Sequence, residues 1–142
     1  FDKDGEALRK IGNEFGTTTG RPRRCGWFDA ELIRFAAKIN GFTGICITKL
    51  DILDSFKTVK ICIQYKLNGK LYKYEDLSTE MLGIVKPVYK TLNGWQSKTI
   101  GIKTFKDLPK NAKEYILELE KQINVKISYI STGAERESII KI

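Results

Sequence analysis

Two short apolar runs limit what this chain can become. Thr43-Gly44-Ile45-Cys46-Ile47-Thr48 is brief, apolar and β-branched, and Val125 to Ile130 forms a second such run. Runs of this kind are expected as strands buried on both faces, which occur where helices cover a sheet. Helical patterns do flank them. Gly5 to Ile11 carries Leu8 and Ile11 on one face, with Asp4 as its expected N-cap. Ala30 to Ile39 presents Leu32, Ile33, Ala36 and Ile39, is capped by Asp29 and stops at Asn40-Gly41. Ala112, Ile116, Leu119 and Ile123 define a third helix, with Asp107 as its expected cap and Pro109 in its first turn. Lys57 to Leu67 alternates apolar and polar, and Asn68-Gly69 is a tight-turn signal that sends Leu71 to Tyr74 back as a hairpin partner. The chain is therefore expected to be a single α/β unit over residues 1–142 with a β-hairpin excursion. Glu75 to Gly94 has no clear period and reads as loop with a short extended piece. Leu92-Asn93-Gly94-Trp95 reads as a turn with a packed aromatic, and Glu135 to Ile140 as a last helical turn.

Chemistry concentrates before the second helix. Gly16-Thr17-Thr18-Thr19-Gly20-Arg21-Pro22-Arg23-Arg24-Cys25-Gly26 sets three hydroxyls and three guanidiniums among glycines. Glycines let backbone N–H groups approach a ligand. Guanidinium forks suit carboxylates and phosphates. Pro22 fixes φ between two arginines. The loop leads into a helix N-terminus, a second preference for anions. A solvated basic turn is the plain alternative. The net charge of +8, from 25 Lys and Arg against 17 Asp and Glu, has two components. Lysines are spread along the whole chain, whereas arginines cluster near Arg21. This distribution favours a focused anionic ligand over nucleic acid, and interleaved aromatics for base stacking are not evident. No apolar run approaches the ~18–20 residues of a membrane span.

The strand ends supply a second cluster. Lys49-Leu50-Asp51 follows the first apolar run and Ser131-Thr132-Gly133 the second. Ligands of helix-covered sheets lie outside the carboxyl ends of strands. A carboxylate there can accept parallel bonds from N1–H and the 2-amino group of guanine, a donor pair adenine lacks. The lysine stem can lie along the base. Small residues at Ser131-Thr132-Gly133 let backbone N–H groups reach a base oxygen. A surface ion pair is the competing account of Lys49 and Asp51. Cys25, Cys46 and Cys62 have no metal-type spacing and fit a reducing cytoplasm. Cys25 beside Arg24 is read as a passive small residue rather than an activated thiol. With no histidine, His-based general-base schemes are excluded within these residues. No Gly-x-x-x-x-Gly-Lys phosphate cradle is present.

Gly12-Asn13-Glu14-Phe15-Gly16-Thr17-Thr18-Thr19-Gly20-Arg21-Pro22-Arg23-Arg24-Cys25-Gly26-Trp27-Phe28-Asp29 closely resembles the substrate loop of the adenylosuccinate synthetase family. Thr48-Lys49-Leu50-Asp51-Ile52-Leu53-Asp54, Leu92-Asn93-Gly94-Trp95, Leu108-Pro109 and Ile130-Ser131-Thr132-Gly133-Ala134-Glu135-Arg136-Glu137 resemble it in order. The resemblance implies the carboxyl-terminal third of the family's polypeptide, within an open, largely parallel α/β sheet. It implies an enzyme that ligates L-aspartate to inosine monophosphate (IMP) with GTP, giving adenylosuccinate, GDP and phosphate. Mg2+, a cytoplasmic location and a homodimer are implied for the whole protein. Thr17, Thr18, Thr19, Gly20, Arg21, Pro22 and Arg23 would form the aspartate loop, with Arg21 also on IMP and Arg23 also near GTP. Lys49, Leu50, Asp51, Ser131, Thr132 and Gly133 would hold guanine. Pro22 and Cys25 vary in the family and carry little weight. The family's catalytic Asp and His, phosphate loop and most magnesium contacts lie amino-terminal of these motifs, so no catalytic or metal residue is expected here. Phe1 is not an initiator Met, so a piece of a longer polypeptide is expected. A shortened, non-catalytic nucleotide-binding or interaction module is the alternative.

Overall fold

A computed structural model describes residues 2–142. Helix α1 (Lys3–Ile11) precedes the arginine loop, and strand β1 (Phe28–Asp29) follows it. Helix α2 (Ala30–Asn40) leads to β2 (Ile45–Ile47) and a 3-10 turn over Leu50–Leu53. The long strand β3 (Thr58–Leu67), β4 (Lys70–Tyr72), the one-turn α3 (Thr79–Leu82) and β5 (Lys86–Asn93) come next. Helix α4 (Lys110–Ile123), β6 (Ile127–Ser131) and β7 (Ile139–Lys141) complete the chain.

The α/β class and the hairpin are as expected. Asn68 and Gly69, both at positive φ, turn β3 into β4. The strands form two mixed sheets. In one, β3 pairs parallel with β1 and antiparallel with β4 and β5. In the other, β2 and β6 run parallel, with Ile47 opposite Ile130, and β7 returns antiparallel beside β6. Parallel pairing is thus confined to β1–β3 and β2–β6 among the described residues. Helices α2 and α4 pack together, and Leu50, Ile61, Ile116, Leu119, Ile127 and Ile130 lie almost wholly inside the core.

Several local expectations change. The run at β2 is covered on one face only: Ile47 is buried, whereas Cys46 and its neighbour Tyr129 on β6 are exposed. β2 is the edge of its sheet among the described residues, so only its inward face meets the core. Residues 86–93 form a full strand. Val88, Lys90 and Leu92 turn inward in alternation, and Lys90 can do so because Glu118 pairs with it at 2.8 Å. Of the stretch expected to be a helical turn, Arg136–Ser138 is a 3-10 turn, but Ile139–Lys141 is a strand, because Ile140 drops into the core opposite Ile130. Asp107 does not cap α4; it accepts the Thr104 hydroxyl at 2.7 Å in the preceding 3-10 turn, and Pro109 is the cap residue. Asp2, not Asp4, caps α1, accepting the Gly5 N–H at 2.8 Å. Asp4 instead accepts from Trp27 Nε1 at 3.1 Å and Lys60 Nζ at 2.8 Å. Asp29 caps α2 as expected, accepting the Leu32 N–H at 3.0 Å, and Gly41 ends it with φ 64°.

Candidate functional site

The arginine loop is a tight hairpin. Phe15 bridges Pro22, the Gly16 N–H donates to the Arg21 carbonyl at 2.8 Å, and the Gly20 N–H returns to the Gly16 carbonyl at 2.8 Å. A Cβ on Gly16 would stand 2.8 Å from the Thr19 hydroxyl, which would have to turn aside to admit it. Gly20 has φ 64°, which glycine adopts without strain. Residues 17–24 are all exposed, with Thr17, Thr18, Thr19 and Gly20 at the tip. Arg21 and Arg24 form no ion pair among the described residues. They present unspent charge on a hairpin closed by the Gly16, Gly20 and Arg23 N–H groups. The helix that follows is no second anion site. The Asp29 carboxylate occupies the α2 N-terminus, its other oxygen takes the Tyr65 hydroxyl at 2.6 Å, and Ala30 and Glu31 are buried.

The parallel pairing of β2 with β6 sets their carboxyl ends side by side. This register brings Lys49-Leu50-Asp51 next to Ser131-Thr132-Gly133, and the 3-10 turn at Leu50 touches β6. Lys49 turns the corner with φ 59° and ψ 40°, a left-handed conformation that costs a residue bearing a Cβ on the order of 1–3 kcal/mol. Leu50 is a core residue, 1% exposed, and anchors the turn by its side chain. Asp51 differs: its Oδ1 is buried and has no hydrogen-bond partner. Such an atom forfeits its hydration without recompense unless a donor arrives. Thr132 is fully buried, and both its N–H and its hydroxyl donate to the Ser138 carbonyl, at 2.9 and 3.2 Å. Its backbone N–H is therefore committed inside the chain, and the Ser131 hydroxyl is also spent internally, donating to the Gly133 carbonyl at 2.7 Å. Gly133 admits Ser138 closely, since a Cβ would lie 2.9 Å from that hydroxyl oxygen.

One residue without an assigned role in the sequence joins the clusters. Glu14 Oε2 meets Arg23 Nη1 at 2.8 Å, and Glu14 Oε1 meets the Lys49 ammonium. Lys49 also donates to the Gly12 carbonyl at 2.9 Å. The Lys49 ammonium, followed by the Arg23 guanidinium, holds the Glu14 carboxyl below the usual carboxylate range. The only sequence signal is an acidic residue at the foot of a basic loop. Two cavities flank this junction. One, about 320 Å³, is lined by Glu14, Arg23 and Arg24; the other, about 200 Å³, by Thr48, Lys49 and Leu50. They share Leu8, Gly26 and Ile52. A larger groove of about 550 Å³ lies away from both, between α2, the end of α4 and Lys73–Glu75. Its charges are spent on one another, Glu31 with Arg34 at 2.8 Å and Lys38 with Glu75 at 3.1 Å.

Trp95 is packed, 8% exposed, and donates from Nε1 to Asp54 at 2.7 Å. Cys25, Cys46 and Cys62 are free thiols. Cys25 Sγ lies 3.8 Å from the Arg23 carbonyl. Burial, with Asp29 nearby, pushes the Cys62 thiol up to about 12, which leaves it protonated and inert. No helix among the described residues is long and apolar enough to cross a membrane.

Comparison with known proteins identifies the family. Residues 1–140 match the adenylosuccinate synthetase family. The adenylosuccinate synthetase of Hahella chejuensis is 51% identical over 143 residues, covering 100% of this chain and 33% of that protein. That of Caenorhabditis elegans is 49% identical over 140 residues, covering 99% and 31%. The structure of fully ligated adenylosuccinate synthetase from Plasmodium falciparum superposes with a TM-score of 0.92 at 35% identity, over 99% of this chain and 34% of that one. The chain spans about a third of the length of the relatives it matches. On its motifs in order, its fold and its match over residues 1–140, the chain belongs to the adenylosuccinate synthetase family.

Proposed function

We propose that this chain supplies the guanine site and the aspartate and IMP loop of a GTP-dependent synthetase that ligates L-aspartate to IMP. The observation that carries the reading is Asp51. Its buried, unpartnered Oδ1 sits at the end of β2 beside Ser131 and Gly133, where a base edge offering two donors would satisfy it. The exposed hairpin supports the other half. Arg21 has no partner of its own and can take a carboxylate or a ribose oxygen, with Thr17, Thr18 and Thr19 as hydroxyl donors around it. Arg23 sits between the two clusters, suited to a phosphate oxygen of the same nucleotide. Such a planar fork suits the charge that builds on a transferred phosphoryl group.

In this reading the chain is the carboxyl-terminal part of the polypeptide, on the resemblance of its motifs. The remainder would carry the phosphate cradle, the general base and Mg2+, and the whole protein would be a cytoplasmic homodimer. Among the described residues no group of three or more His, Cys, Asp or Glu is gathered to hold a metal ion. A module that only binds the nucleotide would use the same base site and would be told apart by a lack of turnover in the complete polypeptide.

The test is Asp51→Asn in that polypeptide. The amide turns one acceptor into a donor and opposes the guanine 2-amino group, while it can donate to the oxygen that xanthine carries there. Loss of a charge-assisted bond with a partner left unpaired costs on the order of 2–4 kcal/mol for GTP, roughly thirty- to several hundred-fold in KM. Preference is expected to move toward xanthosine triphosphate, with aspartate and IMP KM nearly unchanged. An unaltered GTP-to-XTP ratio removes Asp51 from the guanine site.

A further inference from the structure

We infer that Glu14 is a positioning residue that couples the arginine loop to the strand-end turn, through Arg23 on one carboxylate oxygen and Lys49 on the other. The inference rests on the functional reading above and extends it to a residue that contacts neither ligand there. Three observations converge. Glu14 faces two cations from two separate segments, Arg23 Nη1 at 2.8 Å and the Lys49 ammonium, and its side chain is only 20% exposed. Its backbone is also committed to the loop, because the Arg23 N–H donates to the Glu14 carbonyl at 3.0 Å. Finally, Lys49 adopts its left-handed corner while its ammonium is held between Glu14 and the Gly12 carbonyl, the segment that opens the arginine hairpin.

The chemical consequence is a shared counter-charge. A ligand anion that draws Arg23 outward leaves the Glu14 carboxylate to Lys49 alone. That fixes the Lys49 stem at the edge of the base site. A base that orders Lys49 in turn fixes the carboxylate against which Arg23 is set. Linkage makes this influence reciprocal between the two ligands. Because Arg23 and Lys49 are about half exposed, 57% and 48%, each arm has the modest strength of a solvent-accessible ion pair.

The experiment uses Glu14→Gln in the complete polypeptide, with KM for GTP and for aspartate as separate readouts. Each KM is expected to rise by about 1.5- to five-fold, the range of partly exposed ion pairs. In a Lys49→Met background the further effect of Glu14→Gln on GTP KM should vanish while its effect on aspartate KM persists. In an Arg23→Leu background the aspartate effect should vanish. A purely structural role for Glu14 predicts the same effect in every background, and that result overturns the inference. If Glu14→Gln does not fold, the Arg23→Leu, Lys49→Met pair serves instead: the double variant should be non-additive on GTP KM, and strict additivity overturns the coupling. The Asp51→Asn selectivity assay keeps the two ideas apart. A shifted GTP-to-XTP ratio with additive Glu14 effects refutes the coupling alone, and an unshifted ratio refutes the guanine site.

Discussion

Replacing Asp54 with alanine is expected to open the loop behind the base site without touching any ligand. Asp54 ends the 3-10 turn that starts at Leu50, and its carboxylate accepts three bonds. Oδ1 takes Trp95 Nε1 at 2.7 Å and the Thr99 hydroxyl at 2.9 Å, and Oδ2 takes the Thr99 N–H at 2.7 Å. Thr99 is fully buried and Trp95 nearly so. The hydroxyl can rotate toward another acceptor, but the two N–H donors are fixed. Each buried donor left without a partner costs about 1–3 kcal/mol, so the pair costs about 2–6 kcal/mol, centred near 4. At about 1.4 kcal/mol per tenfold, that is roughly a thousand-fold in the local opening equilibrium. Asp54→Asn keeps one acceptor and strands one N–H, so about half the energy and roughly thirty-fold are expected. Hydrogen exchange of the Thr99 amide, measured in the complete polypeptide, reads this opening directly. The affinity for a guanine nucleotide should fall with it, because Asp51 lies inside the loosened turn, whereas aspartate KM should not. If the Thr99 amide of Asp54→Ala exchanges within about threefold of the unchanged protein, this account of what holds the turn is refuted.

Two further outcomes concern the loop and the chain as a whole. Arg21→Leu and Arg23→Leu each delete a charge-assisted contact of about 1.5–3 kcal/mol, so each should weaken aspartate use by roughly ten- to a hundred-fold while leaving the melting temperature nearly unchanged. Normal aspartate KM and kcat in both variants would show the loop assignment to be wrong. Residues 1–142 alone should show no adenylosuccinate formation in a phosphate-release assay, because the sequence has neither a phosphate cradle nor a histidine base; turnover near that of a complete synthetase contradicts this.

Local signals carried the sequence reading. Asp29 and Gly41 bound α2 where the cap rules put them, and Asn68-Gly69 makes its hairpin. The apolar runs at β2 and β6 correctly brought Lys49-Leu50-Asp51 beside Ser131-Thr132-Gly133. What escaped depends on partners far away in sequence. β5 is obscured by Pro87 and by partly covered Lys90, whose inward turn makes sense only once Glu118 on α4 meets it. β7 exists because Ile140 finds Ile130. Asp4 leaves its expected capping role for Trp27 and Lys60, and Asp54 is tied to Thr99 across 45 positions. Glu14 is invisible until the hairpin and the strand end converge, since neither segment alone says that both need the same carboxylate.

Lys49 at φ 59° has a bearing on how this protein responds to selection for heat resistance. A glycine would relax that corner, since it adopts the left-handed region freely. Asn13, one residue before Glu14, is likewise left-handed, with φ 50°. Substitutions to glycine at these two positions would relieve backbone strain, and Lys49→Gly would also delete the ammonium that Glu14 holds. Relief of the corner and loss of the Lys49 bonds to Glu14 and Gly12 therefore pull in opposite directions at position 49. Were Lys49 to serve the nucleotide as proposed, a library screened for turnover would retain a corner that the backbone on its own disfavours.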